Sequence, residues 1–141
     1  MFRRHVLCLV AGLLLFGPAA ADAQPAPRTL TIVVTNLTLA PMTGGGANVQ
    51  AGHRIGNDQL AAGRTIRVEQ SARTTTASDE QTGLIAGSAE IVTARGVVSL
   101  VWTWAEGNSP TVDVQPPDGL TAEVKQVDGG TDSATYEIGL K

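Results

Sequence analysis

The segment Val97-Val98-Ser99-Leu100-Val101-Trp102-Thr103-Trp104 constrains the fold of this chain more than any other. Its even positions, Val98, Leu100, Trp102 and Trp104, are all large and apolar, whereas Ser99 and Thr103 interrupt the odd set. Side chains of a strand alternate between faces, so this period of two predicts a strand with one fully buried face. It is taken as the central strand on which the others assemble, and it holds both tryptophans of the chain.

A length of 141 residues predicts one domain. The start of the chain has the form of a secretory signal over 1–23: Arg3 and Arg4, then an apolar run from Val6 to Phe16, then Ala21-Asp22-Ala23 as a small-x-small cleavage site. The run is too short for a membrane anchor, so cleavage is expected after Ala23, with an exported product, periplasmic or extracellular. Cleavage would remove Arg3, Arg4 and Asp22, taking 10 basic and 13 acidic residues to 8 and 12 and the formal charge from −3 to −4. An acidic chain argues against nucleic acid as a partner. The only cysteine, Cys8, leaves with the signal, so packing without disulfides must hold the domain. An exported chain without disulfides suits a bacterial origin, and Asn36-Leu37-Thr38, a formal glycosylation sequon, then reads as polar strand-end residues.

Residues 24–28, with Pro25 and Pro27, form a loose lead-in, and 29–141 form the domain. Thr29 to Thr38 is the first strand, with Leu30, Ile32 and Val34 on one face. Pro41 and Gly44-Gly45-Gly46 predict a flexible loop, Asn48 to Ile55 a short strand, Leu60 to Gly63 a helical turn or loop, and Thr65 to Glu69 a half-exposed strand. Ser71 to Gly83 is polar without periodicity and reads as a long loop. Ala89 to Thr93 pairs through Ala94-Arg95-Gly96 with the tryptophan strand as a hairpin. Thr111 to Gln115, Leu120 to Val127 and Ala134 to Leu140 complete the set, separated by Glu106 to Pro110, by Pro116-Pro117-Asp118-Gly119, and by Asp128-Gly129-Gly130-Thr131-Asp132. Close-spaced strands without a helical stripe predict an all-β fold, a single-domain antiparallel β-sandwich or closed barrel of about seven to eight short strands.

Little catalytic chemistry is available. His53 is the only histidine after the signal, so a histidine-rich metal centre cannot be built within one chain, and Gly87-Ser88 lacks the glycine of a nucleophile elbow. Asp79-Glu80 is a carboxylate pair of the kind a hydrolase would set across a cleft, and a carboxylate-dependent hydrolase is the least favoured of three readings. Asp128 and Asp132 flank glycines and form a candidate calcium pair, but Asp-Gly between strands is first a hairpin signal. Gly44-Gly45-Gly46 is not followed by the lysine of a phosphate loop, and no cofactor is implied. Trp102 and Trp104 project to one face, where two indoles either fill a sandwich core or form an aromatic platform for a ligand.

Four segments carry a family likeness: Thr31-Ile32-Val33-Val34-Thr35-Asn36, then Gly63-Arg64-Thr65-Ile66-Arg67-Val68, then the polar Ser71 to Ser78 run with the Thr82-Gly83 approach, then Trp102-Thr103-Trp104-Ala105-Glu106-Gly107-Asn108. In that order they resemble the aegerolysin-like family of small secreted β-sandwiches, although Thr82-Gly83 is not followed by the Glu-Gly that the family tends to show. The resemblance implies recognition of lipid headgroups or membrane surfaces, sometimes with a pore-forming partner protein, and it would place Trp102, Trp104 and Arg73 near the binding surface. The residues alone support an exported, non-enzymatic module that binds a protein, glycan or small ligand, with lipid-surface binding as the alternative.

Overall fold

A computed structural model of the chain describes residues 27–79 and 82–141. The expected signal segment and Glu80 lie outside these residues. Ten strands follow one another: β1 (Thr29–Asn36), β2 (Met42–Ala51), β3 (His53–Ile55), β4 (Thr65–Ile66), β5 (Ser71–Ala77), β6 (Ile85–Thr93), β7 (Gly96–Trp104), β8 (Thr111–Gln115), β9 (Ala122–Gly129) and β10 (Ser133–Leu140). They form two five-stranded sheets, in the orders β3-β5-β1-β10-β9 and β4-β2-β6-β7-β8. The fold is the expected β-sandwich, with more strands than the turn signals suggested.

The buried layer is made by alternate residues of each sheet. Leu30, Ile32 and Val34 of β1 and Ile138 and Leu140 of β10 meet Ile85, Ala89 and Ile91 of β6 and Val98, Leu100, Trp102 and Trp104 of β7. Strand β7 is thus buried on the face that its alternation predicts. It is not the central strand, however: β6 holds that place in its sheet and β1 in the other. An apolar inner face is common to central and penultimate strands, so alternation does not separate them.

Several expectations are corrected. The first and last strands pair in parallel, Thr29 with Ser133 through Asn36 with Leu140, so the sandwich is not wholly antiparallel. Parallel neighbours cannot be joined by a hairpin, and no local turn signal announces them. Ser71 to Ala77 is a strand rather than a loop. Its buried set, Ala72, Thr74 and Thr76, is small or hydroxylated, so polarity concealed a true period of two. The outward hydroxyls of β5 instead meet those of β1, Thr75 with Thr31 at 3.0 Å and Ser71 with Thr35 at 2.7 Å.

The triple glycine also lies within a strand, β2. A Cβ on Gly44 would come 2.6 Å from the Leu60 carbonyl oxygen, because the loop that follows Asp58 crosses the strand there. The Gly44 N–H donates to the Arg64 carbonyl and the Gly63 N–H to the Gly44 carbonyl, so glycine serves close backbone approach rather than flexibility. The strand expected over Asn48 to Ile55 is divided, since β2 ends at Ala51 and β3 pairs with β5 in the opposite sheet. Thr65 to Glu69 is regular only over two residues, and Glu69 has a left-handed φ of 65°.

Asn36 is the polar residue that ends β1, and it is fully buried. Its Nδ2 donates to the Ala40 and Ile66 carbonyls at 2.8 and 3.0 Å, and its Oδ1 accepts from the Thr38 N–H and hydroxyl. Such a side chain fixes the exit of β1 and offers no site for a glycan.

Gly87 of β6 stands opposite Trp102 of β7, and the indole lies directly over it. A methyl group at that position would collide with the ring. Gly87→Ala is therefore expected to cost about 1–3 kcal/mol by overpacking, read from the urea midpoint at unchanged m value. Among the described residues, Thr76 Oγ1 is buried without a hydrogen-bond partner. Thr76→Val removes that cost at nearly the same shape, and is expected to raise stability by about 1 kcal/mol.

Candidate functional site

The two ends of the sandwich differ in chemistry. One end gathers the start of β1, the end of β7, the 105–110 turn and the turn between β9 and β10. Its organising residue is Arg28, which the sequence presents as part of a loose lead-in. Arg28 is 7% exposed. Its Nη1 donates to the Ala105 carbonyl at 3.0 Å and its Nη2 to the Gly83 carbonyl. The guanidinium carbon lies 5.0 Å from the centre of the Trp104 ring, in cation–π range. The backbone is held as well, because Arg28 N–H donates to Ser78 Oγ and Ser78 N–H to the Arg28 carbonyl. Among the described residues Arg28 forms no ion pair, so carbonyl dipoles and the indole offset the burial of its charge.

The 105–110 turn is fixed from several sides. Trp104 Nε1 donates to the Asn108 carbonyl at 2.9 Å, Asn108 N–H to the Ala105 carbonyl at 3.1 Å, and the Tyr136 hydroxyl to the Pro110 carbonyl at 3.1 Å. Between this turn and the 129–132 turn lies a concavity of about 480 Å³, with Arg28 and Trp104 in its wall.

The opposite end carries the 37–42 segment, the β6–β7 turn and the chain's last residue. A depression of about 400 Å³ opens there among Leu37, Leu39, Met42, Arg95, Leu120 and Lys141. Leu39 is 100% exposed and Leu37 48%. Val92 and Val97, a cross-strand pair beside the β6–β7 turn, are also exposed. So is Val68, next to Glu69, whose N–H bonds the Asn36 carbonyl. Five of the nine exposed large apolar side chains among the described residues thus belong to segments at this end, and two of them, Leu37 and Leu39, line the depression.

The three residues singled out for binding are not brought together. Trp102 and Trp104 are 1% and 4% exposed and belong to the core, so the pair forms no open platform. Only Trp104 reaches a concave surface. Arg73 is exposed on β5 in the other sheet, where its N–H donates to Gln59 Oε1. Of the calcium pair, Asp128 is within β9 and Asp132 is in the turn at the Arg28 end, where its carbonyl accepts from Thr29 N–H. Among the described residues no three His, Cys, Asp or Glu side chains converge as a metal site. His53 is exposed on β3, and Asp79 is half-buried. The residues missed, Arg28 and Leu37 to Leu39, left faint signals: a lone arginine just before an apolar strand, and leucines continuing past the strand's end.

No family model matches this sequence, and neither does any curated protein. Among solved structures, the lipid binding protein Nakanori has a similar fold, with a TM-score of 0.63 at 14% identity over 81% of this chain and 71% of that one. At that identity the likeness is one of fold. No helix among the described residues is long and apolar enough to cross a membrane.

Lysine keeps the charge at position 28 but not the planar fork that reaches two carbonyls while stacking on Trp104. Arg28→Lys is expected to lower stability by about 1.5–3 kcal/mol, measured by urea unfolding.

Proposed function

We propose that the protein is an exported, non-enzymatic β-sandwich of the aegerolysin-like kind that binds lipid surfaces, and that it does so through the end bearing Leu37 and Leu39. The observation that carries this reading is the exposure of Leu37 and Leu39 in the lining of an apolar depression edged by Arg95 and Lys141, at the end where Val68, Val92 and Val97 are exposed as well. Apolar side chains with basic neighbours suit the boundary between headgroups and acyl chains, where the former lose water contact and the latter stay with phosphates. Lys141 is only loosely engaged by Glu123, at 3.4 Å with both side chains exposed, and is free to exchange that partner for a phosphate. The fold likeness to a lipid binding protein supports the same reading. Trp102 and Trp104 then act as the packed base of the sandwich, and Arg73, on the outer face of β5, has no part in this surface.

Leu39 makes the sharpest test because its side chain is wholly exposed and its loss leaves the core intact. Vesicles of phosphatidylcholine with about 30% phosphatidylglycerol are expected to pellet the protein, and Leu39→Asp to weaken that partition about tenfold or more at unchanged melting temperature. Absence of pelleting with this mixture and with sphingomyelin–cholesterol vesicles alike would refute the reading.

A further inference from the structure

The Arg28 end faces away from the proposed lipid contact and has its own chemistry. We infer that the concavity beside Trp104 is a binding site for a neutral saccharide. The inference starts from charge. Among the described residues the wall holds one cation, Arg28, and two carboxylates, Glu106 and Asp132, so a simple anion meets repulsion and a simple cation meets a fixed guanidinium. Donors and acceptors are nevertheless interleaved around it. Arg28 has N–H groups beyond the two spent on carbonyls, Asn108 and Gln126 bring amides, Thr131 brings a hydroxyl, and the two carboxylates accept. A ligand that offers both a donor and an acceptor at every position, without net charge, is a polyhydroxylated ring.

The second part of the argument is preorganisation. Arg28 is more than nine-tenths buried and fixed by two carbonyls and an indole face. The 105–110 turn is tied down through Trp104 Nε1, Tyr136 and Arg28. Rigid polar groups around an open hollow lower the ordering cost that makes weakly bound polar ligands hard to hold. The same hollow takes up two residues noticed for other chemistry: Trp104 serves as its wall, and Asp132 as an acceptor rather than a calcium ligand. A sandwich with a lipid-facing end and a saccharide-binding end would bridge a membrane and a glycan, but neither site requires the other.

The test uses the intact exported chain labelled with ¹⁵N, without lipid. Glucose, galactose, mannose, N-acetylglucosamine and maltose are each titrated to about 100 mM, with inorganic phosphate as the competing chemistry. Saturable shifts of the Trp104 indole N–H and of the Asn108 and Gln126 side-chain amides are expected with at least one sugar and not with phosphate. Asp132→Ala and Gln126→Ala change exposed side chains and are expected to weaken that sugar about tenfold while leaving the rest of the spectrum in place. Three results would overturn the proposal: no saturable shift with any of the five sugars, shifts with phosphate instead, or sugar binding that both variants leave unchanged. None of these results bears on vesicle binding, so the lipid reading stands or falls separately.

Discussion

The layer of side chains between the two sheets, centred on the Trp102 indole laid across Gly87, is the constraint on which the rest of this structure depends. No cysteine lies among the described residues, and the two ion pairs there, Lys141–Glu123 with both side chains exposed and Arg54–Asp58 with only its arginine exposed, are too few to hold a domain together. Cohesion therefore comes from apolar burial, supplied by alternate residues of β1, β6, β7 and β10. The Trp102 indole lies across the neighbouring strand of its own sheet, where Gly87 leaves room for the ring.

A sandwich closed in this way leaves its functional freedom at the two ends, where loops are not bound by the alternation of the strands. The ends have been used in opposite ways. At one, a buried arginine and an indole fix a polar hollow. At the other, Asn36 uses every donor and acceptor of its amide to hold the 36–40 corner, and the leucines beyond it have no inward place to go. The exposure of Leu39 is thus tied to a rigid corner, which distinguishes it from a side chain at the tip of a loose loop. Arg28 fills the corresponding role at the other end, since it joins the start of β1 to the chain after β7 and to the approach to β6.

Particular residues show why parts of this were legible in the sequence and others were not. The alternation from Val98 to Trp104 foretold its buried face because large apolar side chains mark that face without help from neighbours. In Ser71 to Ala77 the same period is present, but Thr74 and Thr76 occupy the inner positions, and a hydroxyl gives a polar reading even where its methyl group packs. Gly44 suggested flexibility because glycine is chosen both for mobile turns and for tight backbone crossings, and only the position of Leu60 and Ala61 distinguishes them. Arg28 was hidden by its place between Pro27 and an apolar strand, since its partners, Ala105 and Gly83, are far away in the chain.

The sequence by itself determined that this is an all-β chain, where most of its turns fall, and which side of its most apolar strands is buried. These are local properties, set by the alternation of side chains along extended backbone and by turn residues within a few positions. Only the tertiary structure decided that β1 lies parallel to β10, that β6 rather than β7 occupies the middle of its sheet, that Trp104 is buried beneath a guanidinium, and that Leu37 and Leu39 point outward beside Arg95 and Lys141. Each depends on pairing between segments far apart in sequence, whose free energy is gained only when both partners are in place, and no single stretch of residues carries that information.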